Sequence, residues 1–199
     1  MRVLAFVVVL FVAFSGWHWL RREQNEDRLA LVASQLAQRE VEVSCPGFWT
    51  KLVEITPYSG WVEFDEHGRP ADRTQLSAAT CSSLERLWRD GPPAAGCLLG
   101  GAGACPRSTL ELVHAMLTLA HEAWHLRGVT NEAQTQCYAV QTTELAARSL
   151  GFSPREAAIV AFYIALDHAR APLGEYHSPD CRSGGPLDLM PTTREWPSS

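Results

Sequence analysis

His121 and His125 stand four residues apart, with Glu122 beside the first, in the stretch HEAWH. On a helix, residues four apart lie one turn apart on the same face, so both imidazoles can address one ion. Zinc takes imidazole nitrogen at about 2.0–2.1 Å, and two such histidines fill two corners of a tetrahedron. Glu122 then sits where a carboxylate can take a proton from a water whose pKa the metal lowers toward about 7. A catalytic zinc needs a third protein ligand and an open position. Glu132, in the first turn of the helix that follows, is the preferred third ligand, and His168 is the alternative. Each also has a plain reading, because the helix dipole favours a carboxylate at a helix start and a histidine at a helix end. Two rival readings of the pair remain open. The histidines are satisfied polar residues on a half-buried helix with Glu122 in solvent, or they bind a metal without catalysis.

The elements that must position these residues are helices. Leu110, Val113, Leu117, Ala120 and Trp124 keep helical spacing, Ser108 with Glu111 reads as a capping box, and Gly128 is a natural stop. A second helix is predicted over residues 131–150, ending at Gly151. A third opens with Ser153-Pro154-Arg155-Glu156 and ends near His168. Upstream, LSAATCSSLERLWRD predicts a helix capped by Ser77, and VEVSC and the segment GWVEFDEHGRP at 60–70, up to its Gly-Arg-Pro turn, alternate like strands. Residues 91–106 are rich in Gly, Pro and Ala and predict a loop. The fold class is therefore α+β, mainly α.

The site resembles the zincins, metallopeptidases built on HExxH, without repeating either main pattern. Gly128 matches the glycine of the metzincin motif, but the position of that family's third ligand holds Asn131. Asn131-Glu132-Ala133 resembles the gluzincin setting, in which a glutamate on the next helix completes the site, over a shorter link than usual. The likeness covers residues 110–144. It implies a zincin-like helical core, Zn²⁺ as cofactor, Glu122 as general base, His121, His125 and Glu132 as ligands, and a peptide or protein substrate. The string HEAWHLRGVTNEAQTQCYAVQ also resembles an uncharacterised family of small exported bacterial proteins, which supplies no activity to carry over. Tyr176 and His177 are candidates for stabilising the oxyanion in such a reaction, and Met190 is a weak match to a Met-turn. His114 reads either as a partner behind the metal or as a surface polar residue. Trp124 reads as core, and Arg127 as serving either the helix dipole or a substrate carboxylate.

The whole chain sets the setting. At 199 residues it suits one domain plus a targeting segment. A net charge of −5 argues against nucleic acid as a partner. Lys51 is the only lysine and alanine is abundant, a bias typical of GC-rich bacterial genomes. Residues 3–14 are wholly apolar and the run extends to Leu20, ahead of Arg21-Arg22. Residues 1–22 are read as a signal anchor or a signal peptide. Residues 23–40 are read as a helical stalk and 41–199 as a zincin-like extracytoplasmic domain. Location is then the cell membrane, or the exterior if the segment is cleaved. Six cysteines without a CxxC pair point to a disulfide-braced, exported domain. Cys97 with Cys105 is the natural local pair, and Cys137 with Cys181 would brace the site. The reading from sequence is an exported, membrane-tethered zinc peptidase; its rival is a non-catalytic surface binding protein that keeps the fold.

Overall fold

The computed structural model describes residues 2–47 and 58–191, without the side chains of residues 2–14, 17, 18 and 102. A long helix α1 (Arg2–Ala37) leads into strand β1 (Glu42–Ser44). Strands β2 (Gly60–Phe64) and β3 (Pro70–Leu76) precede helix α2 (Ala78–Asp90). Two 3₁₀ turns, Ala95–Gly100 and Ala102–Ala104, fill the Gly/Pro-rich loop. Three helices complete the chain: α3 (Arg107–Leu126), α4 (Glu132–Ser149) and α5 (Pro154–Arg170). The protein is α+β and mainly helical, braced by three disulfides.

Helix α3 is the centre of the packing, with α1, α2, α4 and the sheet all against it. Its Met116, Leu119 and Ala120 are fully buried, so truncating Leu119 to alanine would cost about 2–5 kcal/mol through lost contacts and a cavity. Residues 23–40, read from sequence as a stalk, carry Leu29, Val32, Ala33 and Leu36 into this same core. That spacing of three and four places one apolar stripe along the helix, and α3 covers it. The apolar run at residues 3–14 is helical in its backbone, but its side chains lie outside the described residues. Among the described residues no helix is long and apolar enough to cross a membrane.

The sheet has the order β1-β3-β2, with β1 parallel and β2 antiparallel to β3. Strand β3, the central one, is absent from the sequence reading. Its sequence PADRTQL opens on proline and carries charges, and only Thr74 and Leu76 point inward. One face is open to solvent, where Arg73 pairs with Glu42 on β1. Ser77 caps α2, Asn131 caps α4 and Ser153 caps α5, each accepting from a backbone amide three residues on. The expected capping box at Ser108 does not form. Helix α3 starts two residues earlier, with Pro106 at the cap position, and Glu111 instead accepts from Arg107 at 3.0 Å and Arg86 at 3.2 Å.

Candidate metal centre

The turn between α3 and α4 decides the site. Gly128 adopts φ of 100°, a conformation costly for a side-chain-bearing residue, and so α3 can stop just after His125. The chain reverses within a few residues, and Asn131 caps α4 so that Glu132 falls in its first turn. Glu132 is thereby folded back over the histidine face of α3.

The three groups meet. His121 Nε2 and His125 Nε2 lie 2.9 Å apart, and Glu132 Oε2 lies 3.0 Å from the first and 3.3 Å from the second. The far ring nitrogens fix what these atoms are. His125 Nδ1–H donates to the Val129 carbonyl at 2.7 Å, and a carbonyl can only accept. His121 Nδ1–H donates to Gln136 Oε1 at 2.9 Å. Both Nε2 atoms therefore present lone pairs, and they face a carboxylate oxygen. Three acceptors converging without a proton between them repel one another, and a cation at their centre removes the repulsion. Ligands on a tetrahedral zinc sit about 3.3 Å from one another at the usual bond lengths, close to the triangle found here. The donor set of two imidazoles and one carboxylate fits such an ion. His121, His125 and Glu132 form a group able to hold a metal ion.

Burial sharpens the electrostatics. His121, Glu122 and His125 are only 4–7% exposed. Burial, and then the neighbouring His125, hold the His121 imidazole below the ordinary histidine pKa, which keeps it unprotonated and free to ligate. Burial first, and the charge of Glu132 second, push the Glu122 carboxyl up to about 8. Glu122 Oε2 is buried without a hydrogen-bond partner. Its side chain runs against Gly60 on β2, where an added Cβ would stand 2.8 Å from Glu122 Cγ. A strand residue without a side chain is what lets the glutamate lie flat under the sheet edge.

A cleft of about 1170 Å³ opens above these residues. Tyr58, Trp61, Val62 and Phe64 from the β2 side form one wall, and Glu175 and Tyr176 belong to the segment after α5. The Phe64 ring meets His125 edge-on at 5.8 Å, and the Tyr176 ring lies 5.8 Å from His121. The segment carrying Tyr176 is clamped to α4 by Cys137–Cys181 and by Gln141, which donates to the Leu187 carbonyl. The expected pairs Cys97–Cys105 and Cys137–Cys181 both form, leaving Cys45–Cys81 to join β1's end to α2.

Other residues singled out by sequence fall elsewhere. His168 is buried but stands outside the group that could hold a metal ion, stacked on His177 with ring centroids 4.6 Å apart. His114 is half-exposed on the cleft wall, 3.9 Å from Asp167. Trp124 is buried and donates to Thr142, and the Arg127 guanidinium lies over its ring at 4.5 Å. Arg127 thus has a structural role that sequence did not suggest. Met190 lies at the surface, 45% exposed, and does not underlie the site. Gln136, Val129, Gly60 and Tyr58 were not singled out by sequence. Only Gln136 left a trace, one helical turn after Glu132 and so on the same face.

No protein-family model matches the chain, and no curated protein and no solved structure matches it.

Proposed function

We propose that this protein is a zinc-dependent peptidase of zincin-like architecture that acts outside the cytoplasm. The observation that carries the reading is the convergence of two Nε2 lone pairs and a Glu132 oxygen beside the unpartnered, buried Glu122 carboxyl. A structural zinc would be closed by a fourth side chain, whereas the three groups here lie at the floor of an open cleft. The three disulfides support an oxidising location. The apolar segment at residues 3–14 would carry export or a membrane tether.

His121, His125 and Glu132 would hold the ion, with Gln136 and the Val129 carbonyl keeping both rings turned toward it. When bound, the ion supplies Lewis acidity, polarising a substrate carbonyl and lowering the pKa of a water. With the cation beside it favouring the ionised carboxylate, Glu122 would take the proton from the attacking water and return it to the departing amine. Its buried position keeps the proton within the site between those two steps. The Tyr176 ring, 5.8 Å from that of His121 on the cleft lining, would let its hydroxyl donate to the oxyanion as the carbonyl becomes tetrahedral. The β2 wall, whose outer edge has no strand partner among the described residues, suits an extended peptide that adds to the sheet.

The test is hydrolysis of a mixed peptide library by the zinc-supplemented full chain and by Glu122→Gln. Wild-type cleavage that falls about 10²–10⁴-fold in Glu122→Gln, at unchanged zinc content, is the expected result. Equal cleavage by both proteins would remove Glu122 from the reaction and the reading with it.

A further inference from the structure

The cleft carries acidic side chains that no lysine or arginine among the described lining residues balances. The side chains lining it include three carboxylates, Glu122, Glu132 and Glu175, and no lysine or arginine among the described residues. Glu132 belongs to the group that could hold an ion, and Glu122 adjoins it on α3. Glu175 is left over. No hydrogen bond or ion pair engages its side chain among the described residues, although arginines elsewhere on this surface are paired with acids. It precedes Tyr176 in the clamped segment, so it is held at the cleft and not on a free tail.

Its surroundings suit a cation with an apolar stem. Tyr58 and Tyr176 both line the cleft and are 60% and 46% exposed. The two tyrosines and the carboxylates line one cleft. Aromatic faces attract cations and pack against methylene stems, and a carboxylate beyond them gives the head group a partner.

Resting on the peptidase reading above, we propose that Glu175 is a specificity-determining residue and that the substrates are peptides presenting a cation beside the scissile bond. The cation is a lysine or arginine side chain, or the free α-amine of the peptide. A substrate carboxylate in the same place meets Glu175 without a compensating base, so recognition of a peptide's C-terminus is disfavoured.

The zinc-supplemented full chain is incubated with a peptide library in free and N-acetylated forms, and cleavage sites are mapped by mass spectrometry. Cleavage concentrates next to lysine and arginine, or at free N-termini. In Glu175→Gln the preference for basic over neutral sites falls about five- to tenfold at unchanged zinc content. In Glu175→Arg it shifts toward acidic sites. Loss of cleavage on acetylation assigns the cation to the α-amine; persistence assigns it to the side chain. Wild-type cleavage without basic preference, or a preference unmoved in both variants, overturns the role of Glu175 and leaves the peptidase reading standing. Absence of any cleavage by the wild type overturns both.

Discussion

Glycine at position 60 is a packing requirement of the glutamate it faces. A methyl group there would stand 2.8 Å from Glu122 Cγ and 2.9 Å from Oε1, so Gly60→Ala must displace the buried side chain. The expected outcome is a loss of about 1–3 kcal/mol in denaturant melts and a marked fall in hydrolysis, with zinc content retained because no ligand moves. His168 gives a second residue-scale prediction. Burial, and then His177, lower its pKa from 6.5 to about 4. Above pH 6.5 the residue is neutral folded and unfolded, and it costs nothing. Between 6.5 and 4 the unfolded chain takes a proton that the folded one refuses, so stability drops as the pH falls. His168→Phe, which keeps a ring against His177, should lose about 1–3 kcal/mol less than wild type between pH 7.5 and pH 4.5 in urea unfolding. Identical pH dependence in the two proteins would rule out a buried neutral His168. Of the residues that converge, His121, His125 and Glu132 were legible because helical spacing and a second helix starting near Asn131 place them. Val129 and Gly60 were not, because a carbonyl's direction and a missing side chain have no signature in a sequence.

Helix α4 does two jobs. Its first turns carry Glu132 and Gln136 to the group that could hold a metal ion, and Cys137 and Gln141 anchor the segment that holds Glu175 and Tyr176. Replacing both Cys137 and Cys181 with serine should cost about 4 kcal/mol by the loop-closure argument for a separation of 44 residues. It should also reduce hydrolysis more than zinc content, because the ligands sit on α3 and α4 while Tyr176 sits on the released segment. Parallel loss of zinc would show that the clamp supports the ligands themselves. The caps at Ser77 and Ser153 could be read because their side chains accept locally, within three residues, whereas Asn131, which caps α4 in the same way, was read only as a helix start. The box at Ser108 could not, since distant Arg86 competes for Glu111. Strand β3 escaped for a related reason: its polar pattern makes sense only once β1 and β2 flank it and water covers one face.

Across the whole molecule, one buried helix is shared by the core and by the chemistry. The apolar face of α3 holds α1, α2 and α4 together, while its last two turns present His121 and His125 to the cleft. The mainly helical class and the disulfide bracing follow from composition and periodicity, whereas the packing of residues 29–37 into the core needed the partner surface of α3. The most direct measurement is elemental analysis of the full chain, matured in an oxidising compartment and purified without histidine tag or chelator. About one zinc per chain is expected, lost in Glu132→Ala and retained in His168→Ala. A folded wild-type protein that neither contains zinc nor takes it up, or a Glu132→Ala protein that keeps it, would contradict a metal centre formed by His121, His125 and Glu132.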